Sequence, residues 1–130
     1  MTDKQHIVYV IDDDESVRRA FDRLLRSAGL LVKTFPSVND FFRGPREMEN
    51  ACILMDIRMP GATGFDLQLE LAERGVRTPV IVVSASDDSL LRERARELGA
   101  VGFFRKPVDD QALLDAIWWA ISGAKGGTPQ

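Results

Sequence analysis

The chain has 130 residues, 45% hydrophobic and 28% charged, which fits one ordinary globular domain and excludes a disordered or fibrous polypeptide. Its 17 basic and 20 acidic residues leave a net charge of −3, no electrostatic basis for binding nucleic acid or acidic lipid. One cysteine (Cys52) and one histidine (His6) exclude an internal disulfide and a Cys/His zinc cluster; with no apolar run near the roughly 20 residues that span a bilayer and no signal-like apolar core in residues 1–6, a cytoplasmic protein with no membrane partner is expected.

Residues 7–11 are a continuous β-branched and aromatic run that stops at Asp12-Asp13-Asp14, the pattern of a strand buried on both faces. From 15 to 28 the apolar positions Val17, Ala20, Phe21, Leu24, Leu25 and Ala28 have helical spacing, with Gly29 as the stop. A short strand follows at 30–35, and Pro36-Ser37 opens a helix that runs to Arg43. The unit then repeats: strand 51–55 ending at Asp56, a loop at 58–63 with Pro60 and Gly61, and a helix at 64–74. Strand 79–83 ends at Ser84 and precedes a helix at 89–98; strand 101–105 ends at Lys106-Pro107 and precedes a helix at 110–122. Five strands alternating with five helices predict an α/β doubly wound fold with right-handed crossovers and both faces of a parallel sheet covered. Residues 123–130 are Gly-rich and polar and read as a flexible tail after a domain spanning 1–122.

The polar residues fall at strand ends: Asp12 and Asp13, Asp56, Ser84, Lys106. Ligands of open α/β sheets bind outside these carboxyl edges, where strand order reverses. With order 2-1-3-4-5 the reversal would set Asp12, Asp13 and Asp56 side by side. Two carboxylates about 4 Å apart repel by roughly 4 kcal/mol at an effective dielectric near 20, so three acids in one crevice imply a bound cation or a held proton. All the donors are oxygens, which favours Mg²⁺, Mn²⁺ or Ca²⁺, and open loops with few carboxylates suit Mg²⁺ best. Lys106 adds a compact positive charge and Ser84 a hydroxyl, so the ensemble describes a phosphoryl-transfer site.

These residues resemble the receiver domain of two-component response regulators, a flavodoxin-like or CheY-like fold, over residues 7–121. The resemblance rests on Asp12-Asp13 after the first strand, Asp56-x-x-Met59-Pro60-x-x-x-Gly64, Ser84-Ala85 after the fourth and Lys106-Pro107 after the fifth. Each motif alone is weak; the ordered set is specific. The runs Ile11-Asp12-Asp13-Asp14-Glu15-Ser16-Val17-Arg18 and Gly99-Ala100 to Pro107 look most like the FixJ/NarL type.

The resemblance implies that Asp56 accepts a phosphoryl group from a sensor histidine kinase. Asp12, Asp13, Asp56 and the backbone carbonyl of Arg58 would hold Mg²⁺, with Mn²⁺ or Ca²⁺ able to replace it. Lys106 would pair with Asp56 and then with phosphoryl oxygens, and the Lys106–Pro107 bond would be cis. Ser84 would turn to the phosphoryl group and Phe103 into the space it leaves, so that the fourth helix, fifth strand and fifth helix present a changed face. Arg58 and Ser86 would tune loss of the phosphoryl group. Beyond self-catalysed transfer and dephosphorylation no enzyme activity is implied. The expected partners are the kinase and a second copy in a phosphorylation-linked homodimer. DNA would be reached only through an output domain, with residues 123–130 as the start of the linker.

Plainer readings stand beside these. Asp12, Asp13 and Asp14 also suit a helix cap, with Asp14 the one expected to do only that, Phe103-Phe104 suits core, and Cys52 suits a small buried position. His6 reads as solvated before the first strand. Trp119 points away from the inward Leu113, Ile117, Ala120 and Ile121, with Trp118 at the edge; both are candidate interface residues or chance exposures. A phosphorylation-independent pseudo-receiver is the alternative function. A haloacid-dehalogenase-type phosphatase would want an acid where Arg58 stands, and a flavin-phosphate binder would want Ser, Thr or Gly donors where the acids stand.

Overall fold

A computed structural model of the chain describes residues 6–44, 49–59, 61, 63–86 and 88–123; Pro60 and residues 124–130 of the predicted 123–130 tail lie outside them, while Gly123 belongs to the last helix rather than to the tail. The elements alternate as β1 (Ile7–Ile11), α1 (Glu15–Ser27), β2 (Leu31–Phe35), α2 (Val38–Arg43), β3 (Ala51–Asp56), α3 (Gly64–Glu73), β4 (Val80–Ser84), α4 (Ser89–Glu97), β5 (Gly102–Arg105) and α5 (Asp110–Gly123). The five strands form one parallel sheet in the order 2-1-3-4-5, as expected.

Burial follows strand position. β1 and β4 are buried throughout and β3 at all but its last residue, because helices cover both faces. The edge strands β2 and β5 are only partly covered. Alternation along each strand splits the core in two. Ile7, Tyr9, Ile11, Ile53, Met55, Val80 and Val82 pack with Phe41, Leu67, Leu71 and Ala95 of α2, α3 and α4. Val8, Val10, Cys52, Leu54, Ile81 and Val83 pack with Phe21 and Leu25 of α1 and with Leu113, Ile117, Ala120 and Ile121 of α5.

Local signals set the helix limits. Asp14 caps α1, accepting from the N–H groups of Ser16 and Val17, and Gly29, at φ +88°, turns the chain away after it. Thr63 and Asp66 form a capping box on α3. β2, β4 and β5 begin one residue later than the apolar runs suggest. Leu30 spends its N–H on the Leu25 carbonyl at the end of α1, and Pro79 has no N–H to give a ladder. α1, α3 and α4 each end one residue early because Ala28, Arg74 and Leu98 serve as C-caps. His6 differs from expectation: it is half-buried because Trp118 of α5 packs edge-on against it, ring centres 5.3 Å apart. Cys52 is fully buried, and burial pushes its thiol up to about 12.

Candidate functional site

Sheet order reverses between β1 and β3, and the acids gather at that point. The three consecutive acids after β1 occupy three different environments. Asp12 is 1% exposed; its N–H donates to Phe35 of β2, and its Oδ1 accepts from the Asp14 N–H at 2.9 Å. Asp13 is exposed and accepts no hydrogen bond among the described residues. Asp14 is the helix cap. Asp56 closes β3, and its Oδ1 accepts from the Arg58 N–H at 3.0 Å. Gly64 permits that turn: a Cβ there would stand 3.0 Å from Ile57 Cα and 3.1 Å from the Asp56 carbonyl oxygen.

Carboxylate oxygens of Asp12, Asp13 and Asp56 lie within 4.8 Å of one another. Lys106 answers the charge of two of them, with Nζ donating to Asp12 Oδ2 at 2.8 Å and Asp56 Oδ2 at 3.0 Å. Burial by itself would lower the Lys106 pKa, but the hydrogen bonds and charges of Asp12 and Asp56 outweigh it and hold the ammonium above its usual 10.5. The Lys106 N–H is fixed on the Ser84 carbonyl at 2.8 Å, and the Lys106–Pro107 bond is cis. One lysine and three carboxylates leave an acidic remainder made wholly of oxygen donors, with Asp13 open to solvent. That set fits Mg²⁺, a hard ion that keeps part of its water shell.

Ser84 is buried at the end of β4, its Oγ accepting from the Ser86 N–H at 3.1 Å. Ser86 Oγ in turn accepts from the Asp88 N–H. Phe103 is half-buried on β5 and packs against the core. Arg58 is exposed beside Asp56. The structure does not bring the tryptophans to this crevice. Trp118 is half-buried against His6, while Trp119, 46% exposed, borders a groove of about 340 Å³ with Leu71, Pro79 and Val101 at the opposite edge of the sheet. That groove lacks the converging carboxylates and ammonium of the acidic crevice, which makes the crevice the candidate site of chemistry.

Two contacts escaped the sequence reading. Arg18 Nη1 donates to the Asp12 carbonyl oxygen at 2.7 Å, and the Arg92 guanidinium lies over the Phe103 ring, 5.0 Å from its centre. A basic residue near the start of α1, where the helix dipole favours acids, was a signal for the first. The second pairs residues of different elements and leaves no periodic trace.

The family model described as "Response regulator receiver domain" matches residues 8–118. Response regulator protein TmoT of Ectopseudomonas mendocina is 38% identical over 133 aligned positions, covering all of this chain and 60% of TmoT. Transcriptional regulatory protein FixJ of Azorhizobium caulinodans is 41% identical over 110, covering 85% of this chain and 52% of FixJ. The solved structure of response regulator StyR superposes with a TM-score of 0.86 at 38% identity, over 94% of this chain and 62% of StyR. The chain thus spans between about half and three-fifths of the length of these relatives.

Proposed function

The chain belongs to the response regulator receiver family of two-component signalling, and from that premise we propose that it is a phosphoacceptor switch with Asp56 as the acceptor. The observation that carries the reading is the Lys106 ammonium shared between Asp12 and Asp56, with Asp13 beside them. An Asp56 carboxylate oxygen attacks the phosphorus of a kinase phosphohistidine. The new P–O bond forms as the P–N bond breaks, and the freed imidazole nitrogen takes a proton. Lys106 moves from Asp56 toward the incoming phosphoryl oxygens, and its link to buried Asp12 keeps it aimed there. Asp12, Asp13, Asp56 and the Arg58 carbonyl would hold Mg²⁺, or Mn²⁺ or Ca²⁺ in its place. The bound ion supplies positive charge against the transferring group.

The acyl phosphate adds about −1.5 to −2 charges and three strong acceptors. Ser84 Oγ exchanges the Ser86 N–H for a phosphoryl oxygen, and Phe103 turns into the vacated space, leaving Arg92. Moving a 1:99 equilibrium to 99:1 requires about 5.5 kcal/mol of differential stabilisation. The phosphoryl contacts of Lys106 and Ser84 are its source. Arg58 and Ser86 flank the group and set how readily water reaches it. The altered α4–β5–α5 face pairs with a second copy. In a longer protein it governs an output domain that binds DNA, a reading supported by the relative named as a transcriptional regulatory protein. No helix among the described residues is long and apolar enough to cross a membrane, which agrees with a cytoplasmic switch.

Intact mass after incubation with acetyl phosphate tests the proposal. One phosphoryl group is expected with Mg²⁺ and none with chelator or in Asp56→Ala. No adduct in the wild-type chain from either acetyl phosphate or a phosphohistidine donor would leave a pseudo-receiver in its place.

A further inference from the structure

Asp13 is open to solvent and accepts no hydrogen bond among the described residues, so the direction of its carboxylate depends on its backbone. The peptide joining it to Asp12 is gripped at its carbonyl oxygen by Arg18 Nη1 at 2.7 Å. Arg18 lies just past the first turn of α1. Helical side chains lean toward the N-terminus, so this one reaches back to the loop that precedes the helix. A cation there opposes the helix dipole, a placement that calls for a compensating contact. Its neighbour shows the ordinary arrangement: Arg19 pairs with Glu15 at 2.8 Å, with both side chains largely in solvent.

We propose that Arg18 is a positioning residue for the divalent-ion site: by clamping the Asp12 carbonyl it fixes the 12–13 peptide and with it the aim of the Asp13 carboxylate. The inference rests on reading Asp12, Asp13 and Asp56 as the ligands of that ion. Charge and positioning make opposite predictions for Arg18. Deleting a cation held on the peptide that joins two of the acids would by charge alone tighten Mg²⁺ binding, whereas releasing the loop weakens it.

Calorimetric titration of the full chain with Mg²⁺ separates the two, with melting temperatures in chelator as the check on folding. Arg18→Met is expected to weaken Mg²⁺ about tenfold, the lower end of what loss of a supporting contact costs a metal site. Arg18→Lys keeps a donor and recovers part of the loss, and Arg19→Met leaves the affinity unchanged or slightly tighter. Should Arg18→Met fail to fold, Arg18→Lys carries the test as weaker Mg²⁺ binding at a wild-type metal-free melting temperature. Equal or tighter binding in the Arg18 variants, or an equal loss in Arg19→Met, overturns the inference while the metal site stands. A wild-type chain that takes up no Mg²⁺ overturns both.

Discussion

At the scale of single residues the site turns on Lys106, the cation that ties buried Asp12 to Asp56. Its partners hold its folded-state pKa above the unfolded 10.5, so its contribution to stability is whole below pH 10.5. That contribution is lost as pH climbs through the folded-state value. A melting-temperature series from neutral to alkaline pH should therefore show a fall in the wild-type chain that is missing from Lys106→Met. At neutral pH the variant should be less stable by about 3 kcal/mol, because buried Asp12 loses the ammonium it is paired with. Denaturant unfolding reads that difference. The sequence and its family resemblance divided the three neighbouring acids into two ion ligands and a cap, but the opposite burial of Asp12 and Asp13 was not legible, since the two are chemically identical there. The exit of β1 decides it, burying the first, exposing the second and setting the third on the end of α1.

At the scale of elements, the strands β1, β3 and β4 and the inward stripe of α5 could be read directly, because burial on both sheet faces leaves an unbroken apolar run and burial of one helix face leaves a stripe of helical period. Contacts between elements carry no such period. The Arg92–Phe103 stacking, His6 against Trp118, and the Gln68 amide donating to the Ala95 carbonyl at 3.0 Å all depend on how neighbouring elements are set against each other. Gly64 lies between the two cases: the family motif points to it, but its reason is the backbone of Ile57 against the start of α3. Gly64→Ala should cost about 1–3 kcal/mol, since the backbone of Ile57 and Asp56, and not only the movable tip of Met55, receives the new methyl group. It should also slow phosphoryl uptake by displacing the Asp56 turn. Asp14→Ala should cost about 1 kcal/mol through the lost cap and leave uptake at the wild-type rate. Denaturant melts and rates of adduct formation compare the pair.

At the scale of the whole molecule, the sheet separates its tasks by edge and face. The acids, Ser84 and Lys106 share the carboxyl edge, and Trp119 borders a groove at the other. Leu90 stands 78% exposed in the first turn of α4. A face that pairs two phosphorylated copies through α4, β5 and α5 would cover it. Leu90→Asp should then weaken the phosphorylated dimer about tenfold by size-exclusion chromatography with light scattering, with phosphoryl uptake unchanged. The wiring of the site also imposes an order in time. Lys106 reaches back 94 residues to Asp12 and 50 to Asp56. At roughly 5–20 residues per second, a ribosome adds Lys106 on the order of seconds after Asp56. Through that interval the nascent chain displays its acids without the cation that reconciles them. On the proposed reading of Asp56 as phosphoacceptor, it becomes able to receive a signal only when the last strand docks, so completing the sheet and gaining the capacity to be switched are one event.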